Sequence, residues 1–190
     1  GFLCPSDTHE DLNPERRLDP SNLNVEVATA NYVGSMGVSS TFPSEGALFR
    51  QSKIRFRDIK DGTSNTFFAG ERATRNIKGT GKHGASVWAG ATDITSCGGS
   101  LPTDCGITLY SPTRVNLQTG TRATSSTLAE PWIAFSSEHT GGAHFLLGDG
   151  SVRFVSENVE SRVGSLSDTN TWGTYQKLSA IHDGKTVGPF

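Results

Sequence analysis

The side chains best able to perform chemistry lie close together in the C-terminal third of the sequence. Ser136 and Ser137 precede His139, and Asp149 follows it after nine intervening residues. A serine hydrolase needs a nucleophile on a strained turn, a histidine oriented by an acid, and an oxyanion hole. The sequence contains no Gly-x-Ser-x-Gly elbow, no His-Glu-x-x-His helix and no phosphate-binding loop. We therefore expect the protein not to be an enzyme, and a hydrolase is the least favoured function.

His139 is better explained as an architectural residue. Gly141 and Gly142 follow it, and such glycines are typical of a bend or of a close approach between two backbone segments. We expect the imidazole to hydrogen-bond the backbone and to fix the start of a hairpin. Asp149 is expected to be a turn residue that accepts local backbone hydrogen bonds.

Asp149 and Gly150 separate the apolar runs AHFLLG and SVRFVS, which predicts a β-hairpin. A two-residue type I′ turn needs positive φ angles, and Asp-Gly supplies them readily. The resulting register forms two apolar pairs, Leu147 with Val152 and Phe145 with Phe154. We therefore expect both strands to present their largest apolar side chains on one face of the hairpin.

The three cysteines are informative through their spacing. Cys97 and Cys105 lie in the loop-like run SCGGSLPTDCG, which predicts a local disulfide and an exported protein, the alternative being two unpaired buried thiols. Cys4 stands alone, so it is either a free thiol or bonded to a partner outside this sequence. A zinc site is disfavoured, because the nearest candidate ligands, His83 and Asp93, come with no second ligand pair.

Calcium is the second metal for which the sequence offers candidate ligands. Two groups of oxygen-bearing residues are candidates: Asp168, Asn170 and Gly173 in DTNTWG, and Asp58, Asp61 and Asn65 around DGTSN. The first group resembles the start of a calcium loop, but no Glu occupies its twelfth position. Both groups are more typical of turns, so we expect no cofactor, and the sequence leaves the metal content open.

Composition limits the fold and the possible partners. The chain has 190 residues, which predicts one domain spanning residues 1–190. The formal charge of -2 argues against a nucleic-acid partner, and no apolar run is long enough to span a membrane. The 22 glycines and many Thr and Ser residues favour turns and strands over long helices. We predict an α+β, β-rich fold with an antiparallel sheet.

The domain divides into four segments. These are an irregular lead-in (1–30), the first strands (31–90), a Thr/Ser/Gly-rich, loop-rich insertion (91–130), and the hairpin with a C-terminal helix (131–190). Asn31 to Arg75 should contain two or three antiparallel strands. The apolar residues that predict a short helix near Thr171 to Asp183 recur every three positions: Trp172, Tyr175, Leu178 and Ile181.

Five blocks in this order resemble a known family: FLCPSD (2–7), NYVG (31–34), RFRDIKDGTSNTFFAGER (55–72), the His139-x9-Asp149-Gly150 motif, and the C-terminal sequence that follows the motif. The motif resembles that of prepilin-type processing-associated proteins. The whole pattern resembles the large planctomycete family called domain of unknown function 1559.

The resemblance implies a pilin-like head. Family members usually begin with a prepilin leader and a long apolar helix, which this sequence lacks, so we expect the chain to be the globular head alone. It implies a non-enzymatic, extracellular or cell-surface structural subunit of a filament or secretion pseudopilus. Self-association, or contact with other pilin-like subunits, would use an element absent from this sequence. A cysteine in that helix would be a natural partner for Cys4.

A second function remains open at this stage. A secreted adhesion domain would hold a glycan or a partner protein with the Thr/Ser-rich segment and exposed aromatic residues, without polymerising. A prepilin leader upstream would favour the pilin-like subunit, whereas ligand binding by an isolated monomer would favour adhesion. Turnover lost in a His139 variant would favour a hydrolase.

Overall fold

The computed structural model describes residues 2–17, 26–38, 45–49, 52–77, 81–83, 85–88, 108–110, 134–162, 164–165, 167–185, 187–188 and 190. The strands are β1 (Leu12–Arg17), β2 (Glu26–Ala30), β3 (Tyr32–Gly37), β4 (Phe67–Glu71), β5 (Arg75–Ile77), β6 (Gly81–His83), β7 (Ser86–Val87), β8 (Thr108–Tyr110), β9 (Gly142–Leu147) and β10 (Val152–Ser156). One α-helix, α1 (Thr174–Ser179), is described near the C-terminus. The predicted α+β, β-rich class is confirmed.

A five-stranded sheet, here called the main sheet, has the order β10-β9-β4-β3-β8. Its neighbours are antiparallel except for β3 and β8, which run parallel. A smaller sheet has the order β1-β2-β7. Asn31 separates β2 from β3, so this single residue lies at the joint between the two sheets.

The main core lies on one face of the main sheet. Phe67 and Phe145 stack with ring centroids 4.2 Å apart, and Phe135 lies 5.0 Å from Phe145. Tyr175 and Leu178 of α1 cover these rings. The core therefore joins the main sheet to the C-terminal helix.

The helix is shorter than the predicted span near Thr171 to Asp183. The four apolar residues that predicted it, Trp172, Tyr175, Leu178 and Ile181, are all buried. Gly173 caps the N-terminus of α1, and its own N–H donates to the carbonyl of Arg162. The carbonyl of Ile181 accepts from the N–H of Lys60. Backbone groups on both sides of α1 thus bond other segments, which limits the helix to six residues.

The irregular lead-in predicted for residues 1–30 is wrong in part, because β1 and β2 lie within it. Three prolines suggested irregular structure, but Pro14 lies in β1 at the edge of the smaller sheet. An edge strand tolerates a residue without an N–H donor, and the pairing of β1 shifts register between Asn13 and Arg17.

The hairpin is present, but its predicted register is wrong by one residue. Val152 pairs with Leu146, and Phe154 pairs with His144. The loop has three residues, 148–150, because the N–H of Leu147 donates to the carbonyl of Ser151. The φ of Gly150 is 86°, as such a turn requires at its last position.

The shifted register separates the apolar residues that were expected to share a face. Phe145 and Leu147 are buried, whereas Val152 and Phe154 are 63% and 43% exposed. A one-residue slip moves every side chain of one strand to the other face of a sheet. Only the β9 residues of the two predicted pairs therefore contribute to the core.

Part of the predicted insertion at 91–130 takes part in the main sheet, because β8 lies within it. The predicted disulfide between Cys97 and Cys105 falls outside the described residues and stays a prediction. In the part of the chain that the structure describes, no helix has the length and apolar character needed to cross a bilayer.

Candidate functional site

Three chemically reactive side chains from distant parts of the sequence meet beside the main sheet. Cys4 Sγ lies 3.7 Å from His139 Nε2, although the two residues are 135 positions apart. His139 Nε2 lies 3.4 Å from Glu71 Oε1. The three donor atoms all lie within 4.8 Å of one another. We call this group the Cys4–Glu71–His139 cluster.

A tight turn positions Cys4. The N–H of Asp7 donates to the carbonyl of Cys4 at 3.1 Å, and Pro5 follows Cys4, where its fixed φ favours such a turn. The N–H of Cys4 donates to Asn31 Oδ1 at 2.8 Å, and the N–H of Asn31 donates to the carbonyl of Phe2. Cys4 is therefore buried against the joint between the two sheets.

Asn31 connects the N-terminal turn to β4. Its Nδ2 donates to Asp7 Oδ2 and to the carbonyl of Arg72 at 3.1 Å. Its own carbonyl accepts from the N–H of Arg72 at 2.7 Å. Asn31 is 1% exposed, so truncation of its side chain would take a hydrogen bond from the N–H of Cys4, the carboxylate of Asp7 and the carbonyl of Arg72 without giving them water.

We expect Asn31→Ala to lower the free energy of unfolding by about 2–3 kcal/mol, because it leaves several buried polar groups unsatisfied. Urea unfolding followed by circular dichroism measures the loss. Asn170→Ala, at an exposed asparagine, is the matched control and should change stability by less than about 0.5 kcal/mol. Equal stability of the two variants would contradict the role assigned to Asn31.

Glu71 ends β4 beside β9. It is 4% exposed, and its Oε2 accepts the backbone N–H of His144 at 2.7 Å and lies 3.3 Å from His144 Nδ1. Its Oε1 faces His139. Within the described segments, the ion pairs of this carboxylate are with His139 and His144, which carry charge only when protonated. Glu71 is thus a buried acid aimed at two imidazoles.

His139 differs from its predicted role. Its backbone N–H donates to Ser137 Oγ, but its ring Nε2 contacts Cys4 and Glu71 instead of the backbone partner that was expected. The ring also lies edge-on to that of His144, with centroids 5.0 Å apart. Its side chain is 31% exposed, so His139 is the member of the cluster that solvent reaches.

Tyr32 shares the electrostatic environment of the cluster. It pairs with Glu71 in the β3–β4 register. Partial burial raises the pKa of the Tyr32 phenol, and the nearby Cys4 and Glu71 raise it further, because a phenolate would be repelled by their negative charge. The phenol therefore remains neutral beside the cluster at physiological pH.

The cluster does not have the geometry of a catalytic triad. In a triad the acid bonds one ring nitrogen of the histidine while the nucleophile meets the other. Here Cys4 and Glu71 both approach Nε2 of His139. Of the two serines considered as nucleophiles, Ser136 Oγ accepts the N–H of Ala73 and Ser137 Oγ accepts the N–H of His139.

The comparison with protein families identifies the chain. The family described as a protein of unknown function (DUF1559) matches residues 1–162. The chain belongs to the DUF1559 family. No curated protein matches the chain. No solved structure matches it either.

Four of the blocks that resembled DUF1559 proteins meet here, and we call the contacts of Asn31 with the N-terminal turn and with Arg72, together with the Cys4–Glu71–His139 cluster beside them, the junction. Cys4 and Asp7 come from FLCPSD, and Asn31 comes from NYVG. Glu71 comes from TFFAGER, and His139 begins the H-x9-DG motif. Sequence reasoning missed Cys4 and Glu71 as a site, because it looked for ligands at short spacing. The family-like sequence blocks that contain them were the one signal that could have identified them.

The remaining motif residues of this DUF1559 protein lie in the hairpin or at its start. Gly141 has a φ of 86°, and a Cβ on Gly142 would lie 2.1 Å from the carbonyl oxygen of Val155. Asp149 Oδ1 accepts the N–H of Ser151 at the hairpin tip. Hydrogen bonds from Ser151 lower the pKa of Asp149 to about 2.

The calcium candidates that sequence reasoning considered make hydrogen bonds to backbone groups in this DUF1559 protein. Asp58 accepts the N–H of Arg55, and Asp168 accepts the N–H of Asn170. Asp61 accepts the N–H groups of Asp183 and Gly184. The Asn65 side chain donates to the carbonyl of Asp61. For the zinc candidates, the side chain of His83 and all of Asp93 lie outside the described residues.

Proposed function

We propose that this chain is the globular head of a non-enzymatic, extracellular, pilin-like structural subunit of a surface filament or secretion apparatus. The observation that carries the proposal is the junction at Asn31, where the DUF1559 blocks fasten the N-terminal turn to the main sheet. Membership of the DUF1559 family supports it, together with the resemblance of the H-x9-DG motif to that of prepilin-type proteins.

The junction suits a head that is pulled from its N-terminal side. In pilins the polymerising helix precedes the head, so filament tension enters the head through its first residues. Here Asn31 holds residues 2–7 by three hydrogen bonds: its Oδ1 accepts the N–H of Cys4, and its own N–H groups donate to the carbonyl of Phe2 and the carboxylate of Asp7. Because Asn31 is covalently continuous with β3 and bonded to Arg72 after β4, tension would pass directly into the main sheet.

A structural role also fits the chemistry of the motif residues. The serines near His139 bond backbone N–H groups, and Asp149 is committed to its own turn. The thiol and carboxylate that meet His139 share one ring nitrogen, which leaves no relay between them. The motif residues thus maintain the fold and the junction.

Native material tests the proposal. We expect immunogold labelling to place the protein in fibres or at the envelope, and the native gene to encode a prepilin leader. The isolated 190-residue chain should be monomeric or weakly associating. Recovery only as a soluble cytoplasmic monomer, from a gene with no such leader, would end the proposal, and glycan binding by that monomer would favour an adhesion domain.

Variants in the native gene sharpen the test. We expect Asn31→Ala to lower the yield of filaments that survive mechanical shear, because it loosens the junction through which tension passes. Asn170→Ala should leave the yield unchanged. Immunoblots of total cell protein correct both yields for expression. A normal shear-resistant yield from Asn31→Ala would show that the junction does not bear the load.

A further inference from the structure

The donor atoms of the Cys4–Glu71–His139 cluster are spaced as ligands of one metal ion. The distance from Sγ to Nε2 is 3.7 Å, and that from Nε2 to Oε1 is 3.4 Å. With bonds of about 2.3 Å to sulfur and about 2.0 Å to nitrogen and oxygen, tetrahedral zinc places these pairs about 3.5 Å and about 3.3 Å apart. A direct charge-assisted hydrogen bond between histidine and glutamate would be shorter, at about 2.7–2.9 Å. We propose that Cys4, Glu71 and His139 bind one Zn²⁺ ion.

The charge of the cluster favours a cation. Glu71 is a buried carboxylate, and buried charges in proteins are paired or coordinate metals. Its ion-pair partners among the described residues are histidines, whose charge depends on protonation. A divalent ion beside Oε1 supplies a permanent positive charge and also neutralises the thiolate that Cys4 must form to bind it.

Each proposed ligand is held in place by a further contact. Asn31 Oδ1 accepts the N–H of Cys4, and the N–H of His144 donates to Glu71 Oε2. Ser137 Oγ accepts the N–H of His139. The contact on Glu71 Oε2 is of the kind that typically orients a metal-ligating carboxylate, and the other two fix the backbone of Cys4 and His139. Oε2 is thereby occupied, and Oε1 is the carboxylate oxygen that faces the ion.

The donor set selects the class of ion. One thiolate, one imidazole and one carboxylate suit Zn²⁺, whereas Ca²⁺ and Mg²⁺ take oxygen ligands alone. Three protein ligands leave a fourth position open, and the partial exposure of His139 gives water access to it. The ion would link the N-terminal turn, β4 and the segment before β9, so it should stabilise the folded chain.

Metal titration of the 190-residue chain tests the site. We expect one equivalent of Co²⁺ to give a thiolate-to-cobalt charge-transfer band together with intense visible bands typical of four-coordinate cobalt, and Zn²⁺ to displace it. Cys4→Ser should abolish the charge-transfer band. His139→Gln should weaken Zn²⁺ binding beyond the roughly 10–100-fold that outer-contact changes cause. The double variant Cys97→Ser/Cys105→Ser, and His182→Ala at an exposed histidine, should leave both signals unchanged.

A measurement on the unmodified chain covers the case in which a ligand variant fails to fold. Bound Zn²⁺ should slow alkylation of Cys4, read from the mass of its proteolytic peptide, and a chelator should restore the rate. Failure to bind either ion, a charge-transfer band that persists in Cys4→Ser, or alkylation that Zn²⁺ leaves unchanged would each overturn the site. Because the isolated chain is used, these results are independent of whether the protein forms filaments.

Discussion

Phe145→Ala is expected to lower the free energy of unfolding by about 3–5 kcal/mol, the range for truncating a buried phenylalanine. Phe145 has no exposed surface, and its ring lies 4.2 Å from that of Phe67 and 6.0 Å from that of Tyr175. Truncation of Phe145 removes both its ring contact within the main sheet and its ring contact with α1. Chemical denaturation should show a lower midpoint with an unchanged slope.

Phe154→Ala is the matched control, because Phe154 belongs to the same hairpin but to its outer face. It is 43% exposed, and its ring meets that of His144 edge-on at 5.1 Å. We expect a cost of about 1 kcal/mol, mainly from this ring contact. Equal losses of stability in Phe145→Ala and Phe154→Ala would instead favour the register with a two-residue loop, which places both rings in the core.

The comparison of these two residues shows what the local sequence predicts and what it leaves open. Asp149-Gly150 correctly predicts a hairpin, because few residue pairs accept the backbone of a tight turn. It does not settle whether the loop has two or three residues, since Gly148 extends the turn without steric cost. Only packing against Phe67 and Tyr175 decides which face of β9 is buried.

The C-terminal helix also shows which features a local pattern predicts and which depend on distant contacts. The three-residue recurrence of Trp172, Tyr175, Leu178 and Ile181 correctly identifies a buried face, because apolar periodicity follows from helical geometry. The ends of the helix are determined by backbone hydrogen bonds to Arg162 and Lys60. These contacts are long-range, so a local pattern does not predict them.

Local sequence patterns do not predict the Cys4–Glu71–His139 cluster either, because its residues are far apart in the sequence. A metal site read from sequence relies on ligands a few positions apart, whereas these ligands come from the N-terminal turn, the end of β4 and the segment before β9. The antiparallel pairing of β4 with β9 and the turn bound to Asn31 bring them together. The site therefore forms only when the chain has folded, and no short segment of the sequence contains it.

Gly142→Ala should be the most damaging single-methyl change in the H-x9-DG motif. A Cβ at this position would lie 2.1 Å from the carbonyl oxygen of Val155 and 2.9 Å from the ring of Phe154. The first contact is with paired backbone, so it is relieved only by moving β10 away from β9. We expect a loss of about 3 kcal/mol, at the upper end of the range for overpacked sites. Thermal unfolding measures it.

Gly141→Ala separates close approach from backbone strain. Gly141 has a φ of 86°, but a Cβ there would meet no atom within 4 Å, so only the strain of a left-handed residue remains, at roughly 1–2 kcal/mol. A larger cost at Gly141 than at Gly142 would show that backbone conformation, not contact between β9 and β10, is the reason for the paired glycines. Hydrogen exchange adds a second readout, because a displaced β9 should expose the N–H of His144 that orients Glu71. Faster exchange at His144 in Gly142→Ala, but not in Gly141→Ala, would connect the motif glycine to the geometry of the cluster.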